Sequence, residues 1–481
     1  MSGEALEELA AHARETRVVV IGAGIAGLVA AYECAKVGIR VAVFEQSGLV
    51  GGSVRTADVG GIPLDVGAES YATRGGHVRA LVEELGLGGS IVAPTPGGAW
   101  VVGLPASPGA APLPKGGVLG IPDNPFADDV RRVIGWRGAW RAYLDRVRPP
   151  LTIGHERSLG RLVRTRMGTA VLERLVAPVT TGVYSSHPDD IDVDVAAPGL
   201  NAALTRAGSL SGAVAVLRGE RTTAPGAAIE GIDGGVYRLV EALLARLDEL
   251  GAEVHTGATV ESVDRVGERW TVSVAGQEEE RADAVIVATP EAAARRLLAT
   301  AVPALGTAAL RPGPDVHVVT LVLDAPALDA HPRGTGVLTV AGARAAKALT
   351  HSTAKWPWLA ERMPAGRHVV RVSFGSQGEP PATTGLSDED AAALALAEAS
   401  ALLGVPLSAS QLVDARLEPY GQAQPASVLG QRDAAAAARG AIHGVDGLAA
   451  TGAWLSGTGL AQVVPDAIAE AERVRQSALW G

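Results

Sequence analysis

Residues 17–45 read RVVVIGAGIAGLVAAYECAKVGIRVAVFE. Residues 17–22 are continuous, β-branched and end on glycine, which reads as a fully buried parallel strand. Residues 25–37 read as a helix and 40–45 as a second strand, so the stretch is one βαβ unit. Three glycines punctuate it. Gly22 allows the tight turn after the strand, Gly24 lets the backbone approach a pyrophosphate, and Gly27 lets the helix sit close to the sheet. A diphosphate would then meet the free N–H groups and the dipole of the helix N-terminus. Glu45 ends the second strand, where a carboxylate accepts hydrogen bonds from a ribose diol.

The next residues separate one dinucleotide from another. Gly51-Gly52-Ser53-Val54-Arg55-Thr56 follows Glu45 closely. Two glycines permit close approach to a ligand, and Arg55 offers a fixed cation with planar donors for phosphate. An NAD fold has no general need for this element. A glutathione-reductase-like FAD fold commonly carries it here.

Working outward, two more α/β stretches appear. Gly234-Gly235 precedes an amphipathic helix over 236–250, followed by strand-like alternation and a buried strand at 281–290. A third piece, 447–454, leads through a glycine turn to a helix over 465–477. Between them lie 89–225, rich in Pro, Gly, Arg and Trp with helices expected at 128–147 and 158–176. The other intervening stretch is 305–415, with two strand-like runs and an Ala-rich helix over 387–403. The run at 434–439 reads as helix or loop, and no fixed-period repeat is visible. The expected class is therefore α/β: a discontinuous Rossmann-type FAD-binding domain from 1–88, 226–304 and 416–481. Residues 89–225 form a helical, substrate-side insertion, and 305–415 a mixed α+β substrate domain.

Composition narrows the partners. A length of 481 residues suggests two or three domains, and 47% hydrophobic residues are ample for a large core. The net charge of −10 argues against nucleic acid, because phosphate backbones need a basic surface. Cys34 stands alone, so no intrachain disulfide or cysteine-based zinc site can form, and no metal site is expected. Residues 1–16 lack the basic start and apolar run of a signal peptide. The most apolar run, Val18 to Tyr32, is shorter than the ~20 residues of a spanning helix. A cytoplasmic protein without a transmembrane segment is the expectation.

The run from Val18 to Thr56 resembles the opening of the flavin amine oxidase superfamily, which includes amine oxidases, phytoene-type desaturases and protoporphyrinogen oxidases. Four later stretches are similar to the protoporphyrinogen and coproporphyrinogen III oxidase family. They are DVGAESYATR (65–74), APLPKGGVLGIP (111–122), APVTTGVYSSHPDDIDVDVAAPGL (177–200) and TGAWLSGTGL (451–460). The resemblance implies FAD and a six-electron oxidation of a porphyrinogen in heme synthesis, with oxygen as acceptor and peroxide released. Generally soluble Gram-positive members act on coproporphyrinogen III, which favours that substrate. Protoporphyrinogen IX, an amine or desaturation substrate, and a non-catalytic tetrapyrrole-binding flavoprotein stand as alternatives. Peripheral membrane contact and transient contact with other heme-pathway enzymes are compatible with it.

By resemblance, Gly22, Gly24, Ile25, Ala26 and Gly27 hold the pyrophosphate, and Glu45 with Gln46 the adenosine ribose. Gly51, Gly52, Ser53 and Arg55 approach the phosphates and ribityl side. Gly67, Ala68, Glu69 and Ser70 line the flavin, Val260 reads adenine through its backbone, and Ala288 and Thr289 close over the cofactor. Gly452, Gly459 and Leu460 seat the ribityl chain and isoalloxazine. Arg74 is the expected partner of a substrate propionate, and Tyr184 the expected edge of the macrocycle. Hydride transfer to a flavin demands no side-chain base, and none is assigned. His155, His187, His317 and His351 are expected at the surface or in the core, and Trp136 and Trp140 in the core. Three departures from the family pattern stand out: Ser53 in place of a basic residue, the run 416–430 without its histidine, and AQVVPD at 461–466.

Overall fold

The structure, a computed structural model, describes residues 3–105, 109–148, 156–219, 228–306, 312–421 and 427–480. The opening stretch forms the strands Arg17–Ile21 and Arg40–Phe44, joined by the helix Ile25–Ala35. They sit inside a parallel five-stranded sheet ordered Glu253–His255, Arg40–Phe44, Arg17–Ile21, Ala284–Val287, Leu448–Ala450. Alternation along the strands feeds two cores. Val18, Val20, Val41, Val43 and Ile286 face the helices Ile25–Ala35, Arg238–Glu249 and Leu460–Trp480. Val19, Ile21, Phe44, Val285 and Val287 face an antiparallel three-stranded meander from 260 to 282 and the helix Gln431–His443. A sheet covered on both faces has no polar side, which is why these strands read as unbroken apolar runs. All of Ile25–Ala35 is buried, as an all-round apolar helix must be. The 434–439 run is helical, inside Gln431–His443.

The second sheet has seven strands, ordered Leu412–Gly421, Asp315–Asp324, Arg367–Phe374, Ala348–His351, Gly336–Thr339, Ala99–Val102, Ala110–Pro112. One face, with Val319, Leu321, Val337, Leu349, Val370 and Phe374, is sealed by the helix Asp388–Leu403. This sheet alters two expectations. The boundary at 415/416 falls inside the strand Leu412–Gly421, which is paired along its length with Asp315–Asp324. The segment 89–225 also supplies two strands, which join through the parallel pairing of Ala99–Val102 with Gly336–Thr339. Backbone pairing between distant segments leaves no local signal in either one.

The rest of 89–225 is helical around its own core. The expected helix at 128–147 is Asp128–Tyr143 followed by a tighter turn, Leu144–Val147, with a break at Gly135. The expected helix at 158–176 is interrupted at Gly168, whose φ of 90° no other residue adopts comfortably. Buried Asp145 holds this unit together. It pairs with Arg166 and accepts the Leu210 N–H, while Arg166 also donates to the carbonyls of Arg148 (3.0 Å) and Gly208 (3.1 Å).

Trp136 and Trp140 are not core residues. They are 61% and 57% exposed. Their four-residue spacing puts them on one helix face, but Val130, Val133, Ile134, Ala139 and Ala142 already fill the inward one. His351 is buried, His317 half-buried and His187 exposed; His155 lies outside the described residues.

Candidate functional site

The glycine motifs converge above the carboxyl ends of the parallel strands. Gly22 has φ 102°, and a Cβ there would lie 2.7 Å from the Ala288 carbonyl oxygen. A Cβ on Gly27 would lie 1.9 Å from the Gly22 carbonyl oxygen, so the helix can approach the turn only without a side chain. Gly24 is different. Its backbone is ordinary (φ −71°, ψ 173°), and a Cβ there would meet nothing within 4 Å. The protein itself therefore makes no demand for glycine at 24, and the open space lies against the first turn of Ile25–Ala35. The first N–H groups of that helix, including those of Ile25, Ala26 and Gly27, have no intrahelical acceptor.

The second glycine pair closes onto the first. Gly51 N–H donates to the Ala23 carbonyl (2.8 Å), Gly24 and Gly51 form an isolated bridge, and a Cβ on Gly52 would lie 3.3 Å from Gly24 Cα. Glu45 is fixed by two backbone donors, Ala23 N–H at 2.8 Å and Ser47 N–H at 2.9 Å. Its backbone also carries the segment before Val260, through Ala258 N–H to the Glu45 carbonyl at 2.8 Å. Gln46 is exposed beside it. Ala288 and Thr289 abut Gly22. Gly452, with φ 119°, faces Ala26, and Gly459, with φ 101°, precedes Leu460 at the start of the 21-residue closing helix. A diphosphate-bearing ligand fits this cradle: N–H groups, a helix N-terminus and a space bounded by glycine backbone.

Residues 66–70, the stretch expected to line a flavin, are laid beside the second glycine pair. Ala68 N–H donates to the Ser53 carbonyl (2.9 Å), and Val66 N–H to the Arg55 carbonyl (3.0 Å). The Arg55 side chain turns toward the seven-stranded sheet, 5.4 Å from the Tyr420 ring and 3.6 Å from Glu418. Ser70 is half-buried. Glu69 is held by Lys355 Nζ (2.6 Å), Arg371 Nη1 (3.1 Å) and Ser352 Oγ (2.9 Å). Burial raises its carboxyl, but Lys355 and then Arg371 outweigh it and bring the pKa down to about 2. Asp65, nearby, accepts N–H groups of Val236 and Tyr237, yet burial dominates and lifts it to about 6.

The sheet face that carries Arg371 is the one its helix does not cover. Val318, Leu338, Ala348, Thr350 and Ser373 lie on it and are half-exposed although their strands are central. Across from it stands the helix Ala177–Tyr184, where a Cβ on Gly182 would lie 2.5 Å from Leu338 Cδ2. Tyr184 is half-buried against the helical core. Arg74 is exposed. With the Gln462 amide donating to the Ser456 carbonyl (2.7 Å), the Gln462 oxygen accepts from Arg74 at 3.3 Å. Arg74 thus reaches the closing turn.

The structure brings the glycine cradle, residues 67–70 and the closing turn together. Lys355, Arg371 and Asp65 were missed in the sequence. Lysine is scarce enough in this chain to have marked Lys355, and Arg371 interrupts an apolar strand, RHVVRVSFG. A cavity of about 410 Å3 borders the closing turn, between Gln431, Arg439, Trp454 to Gly457 and Gln462. It shares no glycine of the cradle.

A parallel nucleotide-binding sheet, a diphosphate cradle and a second sheet facing it define an FAD-dependent oxidoreductase. The model of the flavin containing amine oxidoreductase family matches residues 25–476, and this chain belongs to that family. The coproporphyrinogen III oxidase of Mycobacterium tuberculosis (strain ATCC 25618 / H37Rv) is 31% identical over 92% of this chain and 93% of that one. The coproporphyrinogen III oxidase of Propionibacterium freudenreichii is 27% identical over 97% and 92%. Among solved structures, a protein of Exiguobacterium sp. 255-15, provisionally assigned as a protoporphyrinogen oxidase, superposes with a TM-score of 0.82. Its identity is 25%, over 96% of this chain and 98% of its own.

Proposed function

We propose that this enzyme oxidises coproporphyrinogen III to coproporphyrin III, with oxygen as acceptor and peroxide as co-product. The observation that carries the reading is the end-to-end likeness to relatives of that name, over more than nine-tenths of each chain. Supporting it, Val318, Thr350 and Ser373 leave part of the sheet face that carries Arg371 half-exposed beside Ala177–Tyr184, which suits one wall of a macrocycle site. The supporting organisation is a discontinuous, glutathione-reductase-like FAD-binding domain with a helical insertion and a substrate domain that begins its last strand at Leu412. Protoporphyrinogen IX is the near alternative. An amine oxidase is less favoured: Trp454, the aromatic residue of the closing turn, is 3% exposed and belongs to the core under the parallel sheet.

Held by Gly22, Gly24, Gly27 and Gly51, FAD would supply the two-electron, hydride-accepting chemistry of each round. The chain's own tasks are to bind, orient and exclude water. Gly22, Gly24, Gly27 and Gly51 shape the diphosphate cradle, and Glu45 is oriented for the ribose diol. Gly67 to Ser70 form the flavin-side wall. In this reading Arg74 meets a propionate and Tyr184 edges the macrocycle. No side chain is assigned as base, and a proton released from a pyrrole N–H leaves to solvent. Aerobic turnover of coproporphyrinogen III with coproporphyrin fluorescence and peroxide tests the reading.

No helix among the described residues is long and apolar enough to cross a membrane. The reading nevertheless includes a cytoplasmic enzyme with a peripheral membrane contact. Trp136, Trp140, Tyr143, Leu144 and Val147 form one exposed helical stripe. Arg137 and Arg146 lie between them in sequence, whereas the acid in that run, Asp145, is buried. Aromatic rings with neighbouring arginines suit an anionic lipid interface. Cosedimentation with phosphatidylglycerol vesicles, abolished by the double change Trp136→Ser and Trp140→Ser and absent with phosphatidylcholine, is the expected result. Equal binding of the variant would refute the contact.

A further inference from the structure

We propose that Glu69, Lys355 and Arg371 form a charge-setting cluster: two cations share one carboxylate beneath residues 67–70, and the positive charge left over raises the reduction potential of the bound flavin. The inference rests on FAD occupying the cradle with its ring against that stretch.

The geometry supplies the charge count. Lys355 Nζ lies 2.6 Å from one Glu69 oxygen, and Arg371 Nη1 lies 3.1 Å from the other. The three side chains are 14%, 9% and 12% exposed for Lys355, Arg371 and Glu69. Among the described residues, Glu69 is the carboxylate paired with either cation. Asp65 also feels the Arg371 charge, but its two oxygens take backbone N–H groups at the start of Arg238–Glu249 and form no ion pair with either cation. The surplus charge is held by neutral groups. Arg371 Nη2 donates to the carbonyls of Val66 (2.9 Å) and Gly67. Lys355 Nζ stands 5.0 Å from the centroid of the Trp356 ring. Arg371 therefore ties the charge directly to the backbone of the flavin-side stretch. Arg371 Nε is buried without a hydrogen-bond partner among the described residues.

The balance of the redox step gives the cluster its effect. A hydride carries two electrons and one proton, so flavin that accepts one gains one negative charge unless a second proton follows. A nearby cation in a water-poor setting favours that charged state over the neutral oxidised one. Lys355 and Arg371 are then positioning residues for charge rather than catalytic residues, since neither is shown to touch substrate or cofactor.

The test is the two-electron potential of bound FAD, read by anaerobic dye titration with no porphyrinogen present. Its outcome is thus independent of which substrate the enzyme turns over. Lys355→Met removes a cation, and Glu69→Gln removes the anion. The expected shifts have opposite signs: the potential falls in Lys355→Met and rises in Glu69→Gln. Each is about tenfold in the reduced-to-oxidised ratio at fixed potential, or about 30 mV for a two-electron couple. Lys355→Arg, which keeps the charge, stays within threefold of wild type. General structural damage would move both variants the same way. Shifts of equal sign, no shift with FAD still bound, or loss of FAD from either charge-changing variant would each overturn the proposal, because a tuning charge is dispensable for binding.

Discussion

Gly24→Ala separates cofactor binding from folding. The added Cβ meets no protein atom within 4 Å, and φ of −71° suits alanine. The apoprotein should therefore keep its stability within about 0.5 kcal/mol, as a surface substitution does. The same Cβ projects into the space where a diphosphate would approach the helix N-terminus. Displacing the anion so that one charge-assisted hydrogen bond is lost costs about 1.5–3 kcal/mol. At about 1.4 kcal/mol per decade, FAD affinity should fall roughly ten- to a hundredfold. Gly27→Ala is the contrast. Its Cβ would lie 1.9 Å from the Gly22 carbonyl oxygen, so helix and turn must separate. Overpacking of this kind costs about 1–3 kcal/mol before any ligand is added. The assay pairs thermal unfolding of both apoproteins with FAD titration by fluorescence quenching. Unchanged FAD affinity in Gly24→Ala, or an apoprotein destabilised as much as Gly27→Ala, would refute the cradle.

Three further outcomes follow from the geometry. Asp145→Asn strands buried Arg166 and should cost about 3–5 kcal/mol, seen as a thermal midpoint several degrees lower; an unchanged midpoint would contradict the pairing. Glu69 has its pKa lowered to about 2 from a usual 4.5, so its stabilisation is full above pH 4.5 and disappears as pH falls toward 2. Glu69→Gln should flatten that part of the acid limb of the stability profile, and a profile parallel to wild type would argue against it. Arg74→Ala should raise KM for coproporphyrinogen III about tenfold with kcat within twofold, the loss of one charge-assisted contact; a fall in kcat alone would move Arg74 out of the substrate role.

The parallel sheet was legible because burial on both faces writes unbroken valine runs, and Gly22, Gly24 and Gly27 mark the turn by what they lack. The seven-stranded sheet was only half legible. Its strands at 315–324 and 367–374 alternate visibly, but Ala99–Val102 and Leu412–Gly421 join it through pairing across distant sequence. Trp136 and Trp140 show the limit of periodicity, which sets a common face but not whether that face is covered. Lys355 and Arg371 escaped notice because their meaning comes from a carboxylate some three hundred residues away, and no spacing rule reaches that far.

The most direct measurement is aerobic turnover of FAD-loaded enzyme on coproporphyrinogen III and, separately, protoporphyrinogen IX, following porphyrin fluorescence and peroxide. The account predicts faster coproporphyrin formation, with three peroxides released per porphyrin. No porphyrin from either substrate, with flavin demonstrably bound and an anaerobic flavin-reduction test also negative, would contradict it.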